Sequence, residues 1–254
     1  MFGKTKKLVM CQACRGLIDS SMRICPLCGR DSVPDAPVRL QTADEHSQFF
    51  TKLVLGINVV VFLIMTAVAT SGGNTRAFFS GVSGPQLVDF GGKFFPLIRQ
   101  GQVWRLVSAN FLHIGIMHLG FNCFALYQIG PLVEEAYGSQ KFIFIYLVTG
   151  VLGFTLSSFY DPSTPSAGAS ASLMGLIGVT AVYGHRIGGT GGRALMRQML
   201  MWAAITLGIG LFGLLSMDNS AHVGGLAGGA VLGFLMKPEQ PSTAGSASLW
   251  NVVS

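Results

Sequence analysis

The sequence predicts an all-α polytopic membrane protein: a six-helix bundle preceded by a small cysteine-bearing unit. Three observations carry that prediction. Of 254 residues, 50% are hydrophobic and only 11% charged, against roughly 25% charged in ordinary soluble domains, and the mean hydropathy is +0.53. The apolar residues gather into six runs of membrane-crossing scale. The basic residues divide unevenly between the connections, as a multi-pass topology requires.

The first element is residues 1–32, with Cys11-Gln-Ala-Cys14 and Cys25-Pro-Leu-Cys28-Gly29. Two such pairs suit tetrahedral thiolate coordination, because each short turn presents two sulfurs to one ion. Two disulfides or redox-active dithiols are the alternatives. The gap between the pairs is short, which implies a small ribbon, and the stretch 8–31 resembles the zinc-ribbon family. That resemblance implies Cys11, Cys14, Cys25 and Cys28 as ligands of a structural zinc ion, which would supply much of the stability of so small a unit. Residues 33–49 are polar with two prolines, and read as a linker.

Residues 50–237 form the membrane region. The six apolar runs are 53–70, 106–129, 142–159, 170–184, 198–216 and 221–236. A long connection, 71–103, separates the first two and carries aromatics and glycines that suggest partial burial in the membrane interface. The tail, 238–254, is rich in Ser, Pro and Gly and reads as disordered or surface-lying. With the N-terminus inside, the inner segments hold thirteen Lys and Arg residues and the outer ones four: Arg76, Lys93, Arg99 and Arg105. Both termini are therefore expected in the cytoplasm, where a reducing environment favours zinc over disulfide. The net charge of +6 follows from this topology. No basic patch interleaved with aromatics occurs, so no nucleic-acid partner is expected, and no apolar signal-peptide core precedes Cys11.

The stretch with chemical potential is 166–178, Ser-Ala-Gly-Ala-Ser-Ala-Ser-Leu-Met-Gly-Leu-Ile-Gly. Ser170 lies 16 positions before Arg186, or ~24 Å along a helix, in a hydrocarbon core ~30 Å thick. A helix starting inside that core needs protein or a water cavity around its free N–H groups. His222 lies 15 residues before Lys237, and His118 lies 16 before Glu134. Ser170, His222 and His118 therefore fall in one layer near the outer surface. A serine hydroxyl needs a base to become a nucleophile. No carboxylate lies within the apolar runs, and Asp218 sits four residues ahead of His222 in an outer loop, so a Ser–His dyad is expected. Asn122 follows His118 by one helical turn and is an uncharged donor. Gly225, Gly229 and Gly233, with Gly175 and Gly178, offer close helix approach.

Taken together, Trp104-Arg105, His113, His118, Asn122, Gly168-Ala169-Ser170 and Ala221-His222-Val223-Gly224-Gly225 resemble the rhomboid intramembrane serine proteases, over about residues 50–237. The resemblance implies Ser170 as nucleophile and His222 as general base. It implies an oxyanion hole of His118, Asn122 and the Ser170 N–H, with Arg105 in the scaffold of the outer loop. It further implies hydrolysis of transmembrane segments of other membrane proteins in the bilayer, expected here to be a bacterial-type inner membrane. Ser172 stands where an extended motif has a glycine.

Two other readings compete: a rhomboid-like pseudoprotease that binds transmembrane helices without cutting them, and a transporter. The intact Ser–His pair argues against the first. The lack of acidic residues within the runs and of a repeat between halves argues against the second. His113 is expected a turn outside the layer as a structural residue, and Glu134 with Glu135 as a solvated loop face. The ribbon, on the opposite membrane face, suits docking of a cytoplasmic protein partner.

Overall fold

The computed structural model describes residues 8–10, 17–19, 22, 24–29, 48–213 and 217–239. The chain divides into two compact units, Met1–Asp44 and Glu45–Ser254.

In the first unit, β1 (Leu8–Met10) and β2 (Leu17–Asp19) pair antiparallel, with Val9 opposite Ile18. Cys25 is buried in a small cluster with Ile18. Residues 26–28 form a turn that closes through the Gly29 N–H donating to the Cys25 carbonyl at 2.9 Å. Gly29 adopts φ +70°, which glycine accepts without strain. Cys28 is exposed. Cys11 and Cys14 lie outside the described residues, as do the linker ahead of residue 48 and most of the tail.

The second unit is helical. α1 (Phe49–Ser71) leads into four short helices, α2 (Ala77–Ser80), α3 (Gly84–Asp89), α4 (Phe95–Arg99) and α5 (Arg105–Ser108), and a 3₁₀ turn, Ala109–Phe111. α6 (Ile116–Tyr137), α7 (Ser139–Tyr160), α8 (Ser170–Ile187), α9 (Gly189–Leu211) and α10 (Asn219–Leu235) follow. Four of these, α1, α6, α7 and α9, are long and apolar enough to cross a membrane. α8 and α10, at 18 and 17 residues, are shorter, and α10 carries five glycines. α8 is the centre of the unit, with 13 of its residues buried, whereas α9 buries only Gly192, Met199 and Ala203.

The second apolar run is not one helix, as the sequence suggested. Residues 106–111 belong to α5 and the 3₁₀ turn, Leu112 is extended, and α6 begins at Ile116. The break has a side-chain cause: Asn110 Nδ2 donates to the Leu106 and Val107 carbonyls at 2.8 and 3.2 Å, competing with helix propagation. Gly115 then passes close under Phe79, where a Cβ would lie 3.3 Å from its carbonyl oxygen. The fifth run starts nine residues earlier than expected, because Arg193 and Arg197 ride exposed on its first turns. The connection 71–103 folds into helices over which Arg105 acts as a clasp. Its guanidinium donates to the Val88 and Gly92 carbonyls and to Gln102 Oε1 and lies 4.8 Å from the Trp104 ring centre.

Glu134 corrects a second expectation. It is 2% exposed, not part of a solvated face, whereas Glu135 is exposed. Its carboxylate accepts from the Phe50 and Thr51 N–H groups at 3.0 and 2.9 Å and from the Thr51 and Ser139 hydroxyls at 2.7 Å. The first turn of α1 has no side-chain cap of its own, so Glu134 satisfies its orphan donors from another helix. Glu134→Ala leaves those donors unpaired, and a loss of about 3 kcal/mol is expected. A denaturation midpoint equal to wild type in detergent would contradict this role.

Candidate active site

Ser170 opens α8. Ahead of it, Gly168 takes φ +139°, a backbone state that side chains other than hydrogen rarely adopt. A Cβ there would lie 2.7 Å from Cε1 and Nε2 of His118 and 3.5 Å from Ser170 Oγ. Gly168 thus lets the His118 ring approach the serine. Its N–H donates to the Ala109 carbonyl at 2.9 Å, and Lys93 and Ser166 exchange backbone bonds at 2.8 and 3.0 Å. The loop before Ser170 is in this way stitched to the outer connection.

His222 sits in the first turn of α10, 2% exposed, and its Nε2 is 2.8 Å from Ser170 Oγ. Nδ1 is buried, and among the described residues no third side chain bonds to it. Asp218 instead caps α10: it accepts from the Ala221 N–H at 2.9 Å and from the Ser157 hydroxyl at 2.5 Å. Burial pushes the Asp218 carboxyl up, but bonds from Ser157, Ala221 N–H and Ser166, with the Lys93 cation, hold it below the usual carboxylate value.

Two helices bring serine and histidine together because glycine faces let them touch. A methyl group on Gly225 would overlap the Ala171 carbonyl, and one on Gly229 the Gly175 carbonyl. Gly178 meets α10 at the Leu226 carbonyl, and Gly224 meets Gly153 of α7. Ser172 is fully buried and donates to Asn110 Oδ1 at 2.8 Å. Gly150 of α7 leaves the room this pair occupies, since a Cβ there would strike both side chains.

Asn122 is 5% exposed, and its Nδ2 donates to the His118 carbonyl at 2.8 Å. That uses one of its two N–H groups. His118 Nδ1 accepts from the Ile114 N–H at the long distance of 3.5 Å, which leaves Nε2 as the protonated nitrogen, on the Gly168 side. The N–H of Ser170, first in its helix, has no intrahelical acceptor. The His118 ring of α6 and the N–H of Ser170 itself therefore border the serine hydroxyl.

His113 stands closer than the sequence suggested. Its ring centre is 5.2 Å from that of His118, and it is fully buried. Continuous helix through 106–129 would put it a turn away, but residues 112–115 lie outside any helix. In the sequence Ser157 has no visible role, and Lys93 reads only as an outer charge. Lys93 was visible as a lone cation within Phe90-Gly-Gly-Lys93-Phe-Phe-Pro. It is buried, and its Nζ donates to the Asp161 and Thr164 carbonyls at 2.8 and 3.1 Å. Burial pushes its ammonium below the usual lysine value, and the Asp218 and Asp161 carboxylates pull the other way. Among the described residues, no cluster of three His, Cys, Asp or Glu side chains suits a metal ion.

The architecture is that of a helical, multi-pass integral membrane protein with a serine and a histidine hydrogen-bonded inside the helical unit. A Rhomboid domain model matches residues 100–239, more than half of the chain, and the chain belongs to the rhomboid family. It is 37% identical over 180 residues to "Rhomboid protease GluP" of Bacillus subtilis (strain 168), covering 71% of this chain and 33% of that protein. It is 35% identical over 172 residues to "RHOMBOID-like protein 6, mitochondrial" of Arabidopsis thaliana, covering 63% and 53%. "Rhomboid-like protease 1" of Toxoplasma gondii is 35% identical over 161 residues, covering 60% and 54%. The chain spans between a third and about half the length of these relatives.

Proposed function

We propose that this protein is an intramembrane serine endopeptidase of rhomboid type, cutting transmembrane segments of other membrane proteins with Ser170 and His222. The observation that carries the reading is the 2.8 Å hydrogen bond between Ser170 Oγ and His222 Nε2, with the His118 imidazole close by across Gly168. Two of the relatives bear the name protease, which supports the same reading.

In the proposed reaction Ser170 Oγ attacks the scissile carbonyl carbon while its proton passes to His222 Nε2. Negative charge grows on the carbonyl oxygen, where the free Asn122 N–H, His118 Nε2–H and the Ser170 N–H receive it. His222 returns the proton to the leaving amine, and water then hydrolyses the acyl-enzyme by the same exchange. With no carboxylate on Nδ1, packing between α8 and α10 sets the ring's orientation. All six long helices cross the bilayer in this reading: α8 and α10 are short because they begin inside it. Both termini face the cytoplasm of a bacterial inner membrane.

Co-expression with epitope-tagged single-pass membrane proteins tests the proposal. A shortened tagged fragment is expected with wild type and none with Ser170→Ala. The same fragment in both would remove the reading, and no fragment with any substrate would favour a helix-binding pseudoprotease.

The N-terminal unit is proposed to bind one structural zinc through Cys11, Cys14, Cys25 and Cys28, and to dock a cytoplasmic protein. The short hairpin and the Cys25–Cys28 turn with its glycine at positive φ fit a zinc knuckle. Metal analysis of purified protein is expected to find about one zinc per chain, reduced in Cys25→Ser/Cys28→Ser. A metal-free preparation would exclude it.

A further inference from the structure

α10 is packed through glycines. Gly224, Gly225, Gly228, Gly229 and Gly233 all face α7 or α8 closely enough that a methyl group would clash. Such a surface brings backbones together, which sets the direction in which the His222 ring points, but it supplies few interlocking side chains to fix the register along the helix axis. His222 needs close axial placement, because among the described residues its ring has no second hydrogen bond, and a small displacement of a base from its nucleophile costs rate steeply. Something else must set the register of α10.

The outer end of α10 carries the fixing contacts. Asp218 Oδ1 accepts from the Ala221 N–H, the residue before His222, while Oδ2 accepts from Ser157 of α7. Asn219 Nδ2 donates to the Leu207 carbonyl of α9 at 3.1 Å. Lys93 lies near enough to attract the Asp218 carboxylate and at the same time holds the Asp161 and Thr164 carbonyls of the loop leading to Ser170.

We propose that Asp218 is a positioning residue for the Ser170–His222 pair, setting how far along α8 the histidine stands by tying the first turn of α10 to Ser157 of α7. The proposal rests on the reading of that pair as catalytic. Asp218 itself touches neither reacting atom: the Ser170 hydroxyl still gives its proton to His222 Nε2, and Asp218 determines the distance over which it does so.

A fluorophosphonate probe reads this without a natural substrate. Ser170 Oγ displaces fluoride from phosphorus as its proton passes to His222, and time courses at several probe concentrations separate kinact from KI. With the full chain in detergent, Asp218→Ala is expected to lower kinact on the order of tenfold with KI unchanged, through loss of the cap and a displaced base. Asp218→Asn is expected to recover most of it, because the amide oxygen still accepts from the Ala221 N–H and asparagine caps helices as well as aspartate does. A wild-type kinact in Asp218→Ala, or an Asp218→Asn as slow as Asp218→Ala, overturns the proposal. If Asp218→Ala does not fold, Ser157→Ala, which removes the bond tying Asp218 to α7, decides: a lowered kinact supports the proposal and a wild-type value overturns it. Wild type labelling no faster than Ser170→Ala would mean that the catalytic reading itself has failed.

Discussion

Ser170→Ala and His222→Ala are each expected to abolish cleavage, by on the order of 10⁴-fold or more, with membrane insertion intact. Serine and histidine act as a unit: without the hydroxyl there is nothing to acylate, and without the imidazole the hydroxyl keeps its proton. The two losses should therefore be of similar size, and the double variant no worse than either. Folding survives Ser170→Ala because the hydroxyl makes no capping bond to α8 and its hydrogen bond runs to His222 alone among the described residues. His222→Ala removes a ring that is 2% exposed, so it opens a cavity and lowers stability by about 3 kcal/mol. Cleavage rates on a reconstituted transmembrane substrate, with melting curves beside them, check the pair. Full activity in either variant ends the catalytic reading.

Gly229→Val is expected to disrupt the bundle rather than only the site. Gly229 lies on the α10 face nearest α8, and even one methyl group there would overlap the Gly175 carbonyl and crowd its Cα. Both obstacles are backbone of the most deeply packed helix, so neither can swing aside. The helices must part, which costs about 3 kcal/mol or more and moves His222 away from Ser170. Gly120 of α6 offers the comparison, since a Cβ there meets nothing within 4 Å. Gly120→Ala should leave melting and activity near wild type, while Gly229→Val loses both. Equal behaviour of the two variants would contradict the packing account.

Much of this architecture was legible in the chain. Long apolar runs announced α1 and α7, and the Pro- and Ser-rich loop before Ser170 marked the start of α8 correctly. The serine and histidine were legible because a hydroxyl and an imidazole are conspicuous in apolar runs. Legibility failed where tertiary contacts decide. Hydropathy cannot tell that Asn110 turns its amide onto the preceding carbonyls and ends a helix within an apolar run. Glu134 looks like any acidic residue at a helix end, and only the approach of α1 makes its carboxylate a cap. Lys93 was counted as an outer charge, yet its Nζ is satisfied by two carbonyls of a loop about seventy residues away in sequence. Glu134 and Lys93 are polar side chains whose partners lie far along the chain, whereas Asn110 makes a local choice between the preceding carbonyls and continued helix.

The account depends on a serine made nucleophilic by a histidine from another helix. Treatment of the purified protein with a fluorophosphonate, followed by peptide mass spectrometry, tests this most directly. An adduct on Ser170 in wild type, and none above background in His222→Ala, is the predicted result. Equal modification of Ser170 without His222, or an adduct elsewhere with Ser170 untouched, would contradict it.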